Sequence, residues 1–255
     1  VINTDIEYDV ILYPNETAEV KFIHDIEYSY DNYNTMKLIA NNVSNGQFGR
    51  SVAISGNTAI IGAYTDDNNN GINSGSAYIF TNNGGTWSEI EKLTDVNGNI
   101  NDNFGWSVAI SGNTAIVGAP DDESSKGSAY IFTNNGGTWS QTEKLIAMDG
   151  DSDDQFGSSV AISGNTAIIG AFGDDDKASC SGAAYIFTNN NGTWSQIEKI
   201  TANDGARDDN FGYSVAISCN TVIIGAVGDD DKGSNSGAAY IFDGLNEQYK
   251  KCISN

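Results

Sequence analysis

The stretch FGRSVAISGNTAIIGAYTDD, Phe48–Asp67, returns three more times with small changes. It reads FGWSVAISGNTAIVGAPDDE from Phe104, FGSSVAISGNTAIIGAFGDDD from Phe156 and FGYSVAISCNTVIIGAVGDDD from Phe211. The four leading phenylalanines stand 56, 52 and 55 residues apart. A fixed period of this size marks a chain built from stacked supersecondary units and overrides any domain count taken from the 255-residue length.

Within one period, four β-type runs alternate with turn signals. In the second copy they are Ser107–Ser111, Thr114–Ala119, Ser128–Thr133 and Thr138–Leu145. Ser-Gly-Asn between the first two runs suits a tight hairpin, because Gly and Asn tolerate positive φ. Asn-Asn-Gly-Gly between the last two carries the same chemistry. The first three runs are β-branched and aromatic, and the second is almost continuously apolar, as a strand buried on both faces must be. No 3.6-residue apolar period persists for three turns, so helices are not expected. The predicted fold class is all-β: a β-propeller of four-stranded antiparallel blades packed face to face around an axis. Gly118 and Ala119 suit the crowded flank near that axis, and Trp87, Trp139 and Trp194 are expected to pack on the next blade.

The pattern F-G-x-S-V-A-I-S followed by I-[IV]-G-A-[PYFV] resembles the FG-GAP repeat, the blade unit of integrin α-subunit propellers and of many secreted bacterial proteins. The resemblance runs from Phe48 to Cys252. Only Gly118-Ala119-Pro120 keeps the full GAP; the other copies read GAY, GAF and GAV. Calcium-binding members carry an Asp/Asn-rich loop between the first two strands. Here that connection is Ser-Gly-Asn-Thr, too short to wrap a cation in six or more oxygens, so those calcium sites do not transfer. The chain is more similar to the bacterial branch without that loop.

The blades are expected at 48–103, 104–155, 156–210 and 211–255. Residues 1–47 match in rhythm only: Asp9–Tyr13, Glu19–His24 and Asn34–Leu38 would supply the last three strands of a degenerate N-terminal blade. Glu247–Ile253 would be the outer strand of the fourth copy. Five blades follow. The alternative is that the N-terminal strands complete a neighbouring subunit, giving self-assembly into an oligomer or filament by strand addition.

The chain carries 34 acidic against 12 basic residues, a formal net charge of −22. Such a surface repels phosphate backbones and anionic headgroups, which argues against nucleic acid. No run approaches the 18 apolar residues of a bilayer span, so membrane insertion is not expected. In a four-stranded meander, the connections between second and third strands and those between successive blades emerge on one side. These loops hold 20 of the 34 acidic residues, which would make one rim acidic. Calcium is the cofactor such a rim would take, because close carboxylates repel by a few tenths to about 1 kcal/mol per pair. The candidate ligands are Asp149, Asp151, Asp153 and Asp154, with Asp174, Asp175 and Asp176 on the same rim.

Three cysteines are too few for a disulfide scaffold. A Cys180–Cys252 bond is the preferred pairing if one forms. Sequons at Asn15, Asn42 and Asn191 offer glycosylation sites and point to an extracellular or cell-surface location. His24 is the one histidine, which removes histidine-dependent triads and metal sites. Each copy carries a similar acidic loop, whereas catalytic sites break symmetry. The expected function is therefore a non-catalytic extracellular binding or structural module, in adhesion, a surface coat or a fibre, with a protein or glycan as partner. A lectin-like propeller is the alternative, using Trp106 and Tyr213 at the x of FGxS; Arg50 and Ser158 hold the equivalent positions and argue against a sugar site repeated in every blade. A carbohydrate-active enzyme working through carboxylate pairs comes third.

Overall fold

The computed structural model describes residues 36–244, together with the backbone of two short strands nearer the N-terminus. The chain divides into two compact units, Val1–Lys37 and Leu38–Asn255. In the first, β1 (Val10–Ile11) pairs antiparallel with β2 (Glu19–Val20), Val10 opposite Val20. Both lie inside stretches expected to be strands. Met36–Leu38, the described part of the next expected strand, is irregular instead.

The second unit contains four antiparallel sheets in chain order. Blade 1 is β3 (Val52–Ser55), β4 (Thr58–Ala63), β5 (Ser76–Asn83) and β6 (Thr86–Leu93). Blade 2 is β7 (Ser107–Ser111), β8 (Thr114–Ala119), β9 (Ser128–Asn135) and β10 (Thr138–Leu145). Blade 3 is β11 (Phe156–Ser163), β12 (Thr166–Ala171), β13 (Ala183–Asn190) and β14 (Thr193–Ile200). Blade 4 is β15 (Phe211–Ser218), β16 (Thr221–Ala226) and β17 (Ala238–Asp243). The outer strand expected at Glu247–Ile253 lies outside the described residues, as do His24 and the rest of the stretch expected to form an N-terminal blade, so the described arc has four blades.

The turns follow their residues. Gly84 and Gly85, at φ 61° and 91°, close the β5–β6 hairpin as Asn-Gly-type turns do. Asp122–Ser125 forms a left-handed turn, with φ 53°, 63° and 60° at Glu123, Ser124 and Ser125.

Where blades cover both faces the second strand is buried throughout, as in β12; β16, whose far face no described blade covers, alternates exposed and buried residues. One seam core joins Ile60, Ile79 and Leu93 of blade 1 to Val108, Ile110 and Trp139 of blade 2. The next joins Ile116, Ile131 and Leu145 to Val160, Ile169 and Trp194. The tryptophans therefore pack towards the preceding blade, not the next one. The Trp194 N–H also donates to Glu143 of blade 2 at 3.0 Å. The motif glycines have a steric reason: a Cβ at Gly118 would be driven into the carbonyl of Gly157 in the next blade.

Candidate functional site

Two sets of polar residues stand out, one repeated in every blade and one different in each. The repeated set begins with the Asp three residues past the end of the second strand: Asp66, Asp122, Asp174 and Asp229. Asp66 is fully buried and bonds Lys92 Nζ at 2.7 Å, while the Tyr78 hydroxyl donates to it at 2.9 Å. Blade 2 repeats this with Asp122, Lys144 at 2.8 Å and Tyr130 at 2.6 Å. Blade 3 does so with Asp174, Lys199 at 2.7 Å and Tyr185 at 2.8 Å. In blade 4 Tyr240 donates to Asp229 at 2.9 Å. The inter-blade loops join in: Tyr130 reaches Asp95 at 3.1 Å, Lys199 reaches Asp149 at 2.9 Å, and Tyr240 reaches Asp204 at 3.0 Å. The two loop families thus converge as a meander requires.

The electrostatics are those of a clasp. Burial opposes ionisation of Asp66 and Asp122, yet the lysine ammonium and the neighbouring hydroxyls outweigh it and hold both below the usual carboxylate range. Burial, followed by the adjacent carboxylate, pushes Tyr78, Tyr130 and Tyr185 well above the ordinary phenol value.

The seven acids expected to bind calcium fall into separate roles. Asp149, Asp174 and Asp176 gather around the Lys199 ammonium, which stands where a cation would. Asp154 is buried and accepts the Asp151 N–H at 2.7 Å. Burial, followed by the charges of Asp174 and Asp175, pushes its carboxyl up to about 6, and Asp102 is raised to about 6 by burial near Asp122 and Asp95. Asp151, Asp153 and Asp175 are exposed. As placed, the set does not fit a ready calcium shell. Among the described residues, no group of three or more His, Cys, Asp or Glu is arranged to hold a metal.

Asn42 and Asn191 are exposed, while Asn15 lies outside the described residues. Cys180 is half-buried on an inter-strand loop, and its expected partner Cys252 also lies outside them.

The second set is the x of FGxS. In blades 3 and 4 a two-residue irregularity in the first strand, between Phe156 and Ser159 and between Phe211 and Ser214, throws this position out of the ladder. Arg50, Trp106, Ser158 and Tyr213 all line one cleft of about 450 Å³ at the innermost strands. The Arg50 guanidinium lies 4.6 Å from the Trp106 ring centroid. In two copies the residue after Gly-Ala meets the x of the following blade: Tyr64 is edge-on to Trp106 at 4.8 Å, and Phe172 packs on Tyr213 at 5.5 Å. Sequence reasoning counted the four unlike residues against a repeated site. It missed that they share a single cleft.

Four-stranded blades whose innermost strands line a common cleft define a propeller-type protein. The family model described as FG-GAP repeat matches residues 34–80, 87–132, 139–187 and 194–242. The matches cover well over half of the chain, which belongs to the FG-GAP repeat family. The last three matches each open on the fourth strand of one blade and close on the third strand of the next, so the family's unit straddles the seam. No curated protein matches the chain significantly.

Proposed function

We propose that this chain is a non-catalytic binding and structural module that works outside the cell, in adhesion, a surface coat or a fibre, and that it receives its partner in the axial cleft. The convergence of Arg50, Trp106, Ser158 and Tyr213 carries the reading. Where the motif varies in all four copies, the variants meet in one place, as a site built by breaking the symmetry of a repeat would. The titratable groups that repeat are engaged with one another and support a structural role.

A glycan is the ligand class that the cleft chemistry favours. Trp106 and Tyr213 offer apolar faces for a sugar ring beside polar edges. Ser51, Ser107 and Ser159 already donate across the blade seams, which leaves their oxygens as acceptors for sugar hydroxyls. Exposed acids such as Asp175, Asp176 and Asp230 would form an acidic rim that keeps the module soluble. Binding to an immobilised panel of neutral glycans tests the reading. The wild type should be retained on at least one glycan, and Trp106→Ala should weaken that binding about tenfold, the loss of one stacking contact, with an unchanged melting temperature. Failure of the wild type to bind any glycan would remove the glycan reading.

A further inference from the structure

Each seam between blades is built by one rule, and three copies of it are present. The innermost strand of the following blade presses Val and Ile onto Ile, Ala and Leu of the preceding one, as Val108 and Ile110 do on Ile60, Ile79 and Leu93. Hydrogen bonds then cross, among them three that recur at every seam. At the first seam Asn103 N–H donates to Asn73 O at 3.2 Å, Phe104 N–H to Ser74 O at 3.1 Å, and Ser51 Oγ to Gly105 O at 2.9 Å. At the second the pairs are Gln155 to Ser125 at 2.9 Å, Phe156 to Lys126 at 3.0 Å and Ser107 to Gly157 at 2.7 Å. At the third they are Asn210 to Cys180 at 3.0 Å, Phe211 to Ser181 at 3.0 Å and Ser159 to Gly212 at 2.8 Å.

The two ends of the described arc each keep one half of this rule. On blade 1 the N–H groups of Gln47 and Phe48 and the carbonyl of Gly49 have no partner among the described residues. On blade 4 the matching carbonyls of Asn235 and Ser236 and the hydroxyl of Ser214 have none either. The apolar faces tell the same story. Val52 is 68% exposed where its blade 2 equivalent Val108 is 8% exposed, and Ile241 is 65% exposed where Ile131 is fully buried. Ile54 on blade 1 and Ile223 on blade 4 are exposed as well. Gly225 keeps the glycine that elsewhere makes room for the next blade, yet no next-blade carbonyl stands against it.

We propose that a second copy of this chain docks head to tail, with the open face of its blade 1 seated on the open face of blade 4. The three internal seams show how the exposed valine and isoleucines and the three hydrogen-bonding groups of such faces fit, while Leu38 and Ala40 already hold the places that Leu145 and Ala147 take at the second seam. The contact buries exposed Val52, Ile54, Ile223 and Ile241 and satisfies donors and acceptors that are already matched in number and position. Because the two faces differ, the contact is heterologous. It either closes when two four-bladed arcs meet, within the range of roughly 4 to 8 blades known for propellers, or continues as a chain of copies. This surface is distinct from any N-terminal strand addition.

The mass of the full chain in solution tests it. Light scattering at tens of micromolar should give at least twice the 27.0 kDa of one chain. Val52→Asp and Ile241→Asp each place a charge on one exposed face without entering the blade core, and each alone should be monomeric. An equimolar mixture of the two variants should recover a dimer and nothing larger, because one intact head then meets one intact tail. Circular dichroism checks folding, and Ile223→Asp replaces Ile241→Asp if that variant fails to fold. A monomeric wild type would overturn the proposal and favour closure within one chain. So would assemblies that neither substitution dissolves, or a mixture that stays monomeric.

Discussion

The clasp of Tyr, Asp and Lys and the axial cleft are assembled from neighbouring parts of the same repeat, yet they obey opposite rules. The clasp is nearly the same in every blade: Asp66, Asp122 and Asp174 each hold a tyrosine hydroxyl and a lysine ammonium within 3 Å. The cleft takes a different residue from each blade, a cation, an indole, a hydroxyl and a phenol. An acid that recurs in register with a buried tyrosine ties a loop to its strands, whereas a position free to differ while pointing into shared space is available for recognition. Charge density by itself does not separate the two cases, since Asp66, Asp95, Asp102, Asp122, Asp154, Asp174, Asp209 and Asp229 are all buried.

Breaking the clasp should give the largest effect. Asp174→Ala leaves the Tyr185 hydroxyl and the Lys199 ammonium without their buried acceptor, and truncating one partner of such a set costs about 3 kcal/mol. For a chain of this size that lowers the melting temperature by roughly 6–12 °C. Cleft binding at low temperature should survive. If Asp174→Ala instead abolishes binding in a protein of unchanged stability, the division between clasp and cleft fails. Chelator added to the wild type should leave the melting temperature where it is, because the Lys199 ammonium already pairs with Asp149, Asp174 and Asp176.

A smaller, pH-dependent effect sharpens the same comparison. Asp154 lies beside the clasp but has no lysine, and its carboxyl is raised to about 6 in the fold. A folded value above the unfolded one, about 3.9, means that its contribution is fully present below about pH 4 and is lost as pH rises through 6. Asn cannot ionise, and its carbonyl oxygen can still accept the Asp151 N–H. Asp154→Asn should therefore match the wild type near pH 4 and exceed it at pH 7.5 by about 1–2 kcal/mol, below the ceiling of about 3 kcal/mol set by a shift of two units. Denaturant midpoints at the two pH values measure the gap. A gap that does not open with pH would mean that this carboxylate is solvated.

The blades were legible because their cause is local: period-two apolar runs, turn residues at fixed offsets and a motif said four times. In blade 2 the observed strands differ from expectation only in extending the third to Asn135. The direction in which Trp139 and Trp194 lean was not legible, since it depends on the hand in which blades succeed one another, and a repeat reads the same either way. The clasp left a signal that was present but unconnected. Asp122, Tyr130 and Lys144 come from a loop and two strands, and each recurs once per blade without any short spacing to join them. The cleft was hidden for the opposite reason, because residues about a period apart become neighbours only once the blades turn about an axis. Leu38 and Ala40 show the limit of rhythm as a guide. They pack on the core of blade 1 with Val43 and Phe48, yet Leu38, which ends the expected strand, and Ala40 beyond it have an irregular backbone.

One departure from the repeat touches neither clasp nor cleft, and it tests whether difference between blades means function. Cys219 occupies the first turn residue of the β15–β16 hairpin, where the other copies have Gly56, Gly112 and Gly164. All four share a left-handed backbone, with φ of 57°, 57° and 58° at the glycines and 56° at the cysteine. A side chain in that region costs about 1–2 kcal/mol, and restoring glycine gives back part of the gain through the freer unfolded chain, roughly 0.4–1 kcal/mol. The Cys219 N–H bond to Ser163 Oγ across the seam, 3.3 Å, is a backbone bond and survives the exchange. Cys219→Gly should thus raise the stability by about 0.5 kcal/mol and the melting temperature by a degree or two, with cleft binding unchanged. A drop in stability, or any change in binding, would show that this turn serves a purpose its geometry does not reveal, and that blade-to-blade difference marks function even away from the cleft.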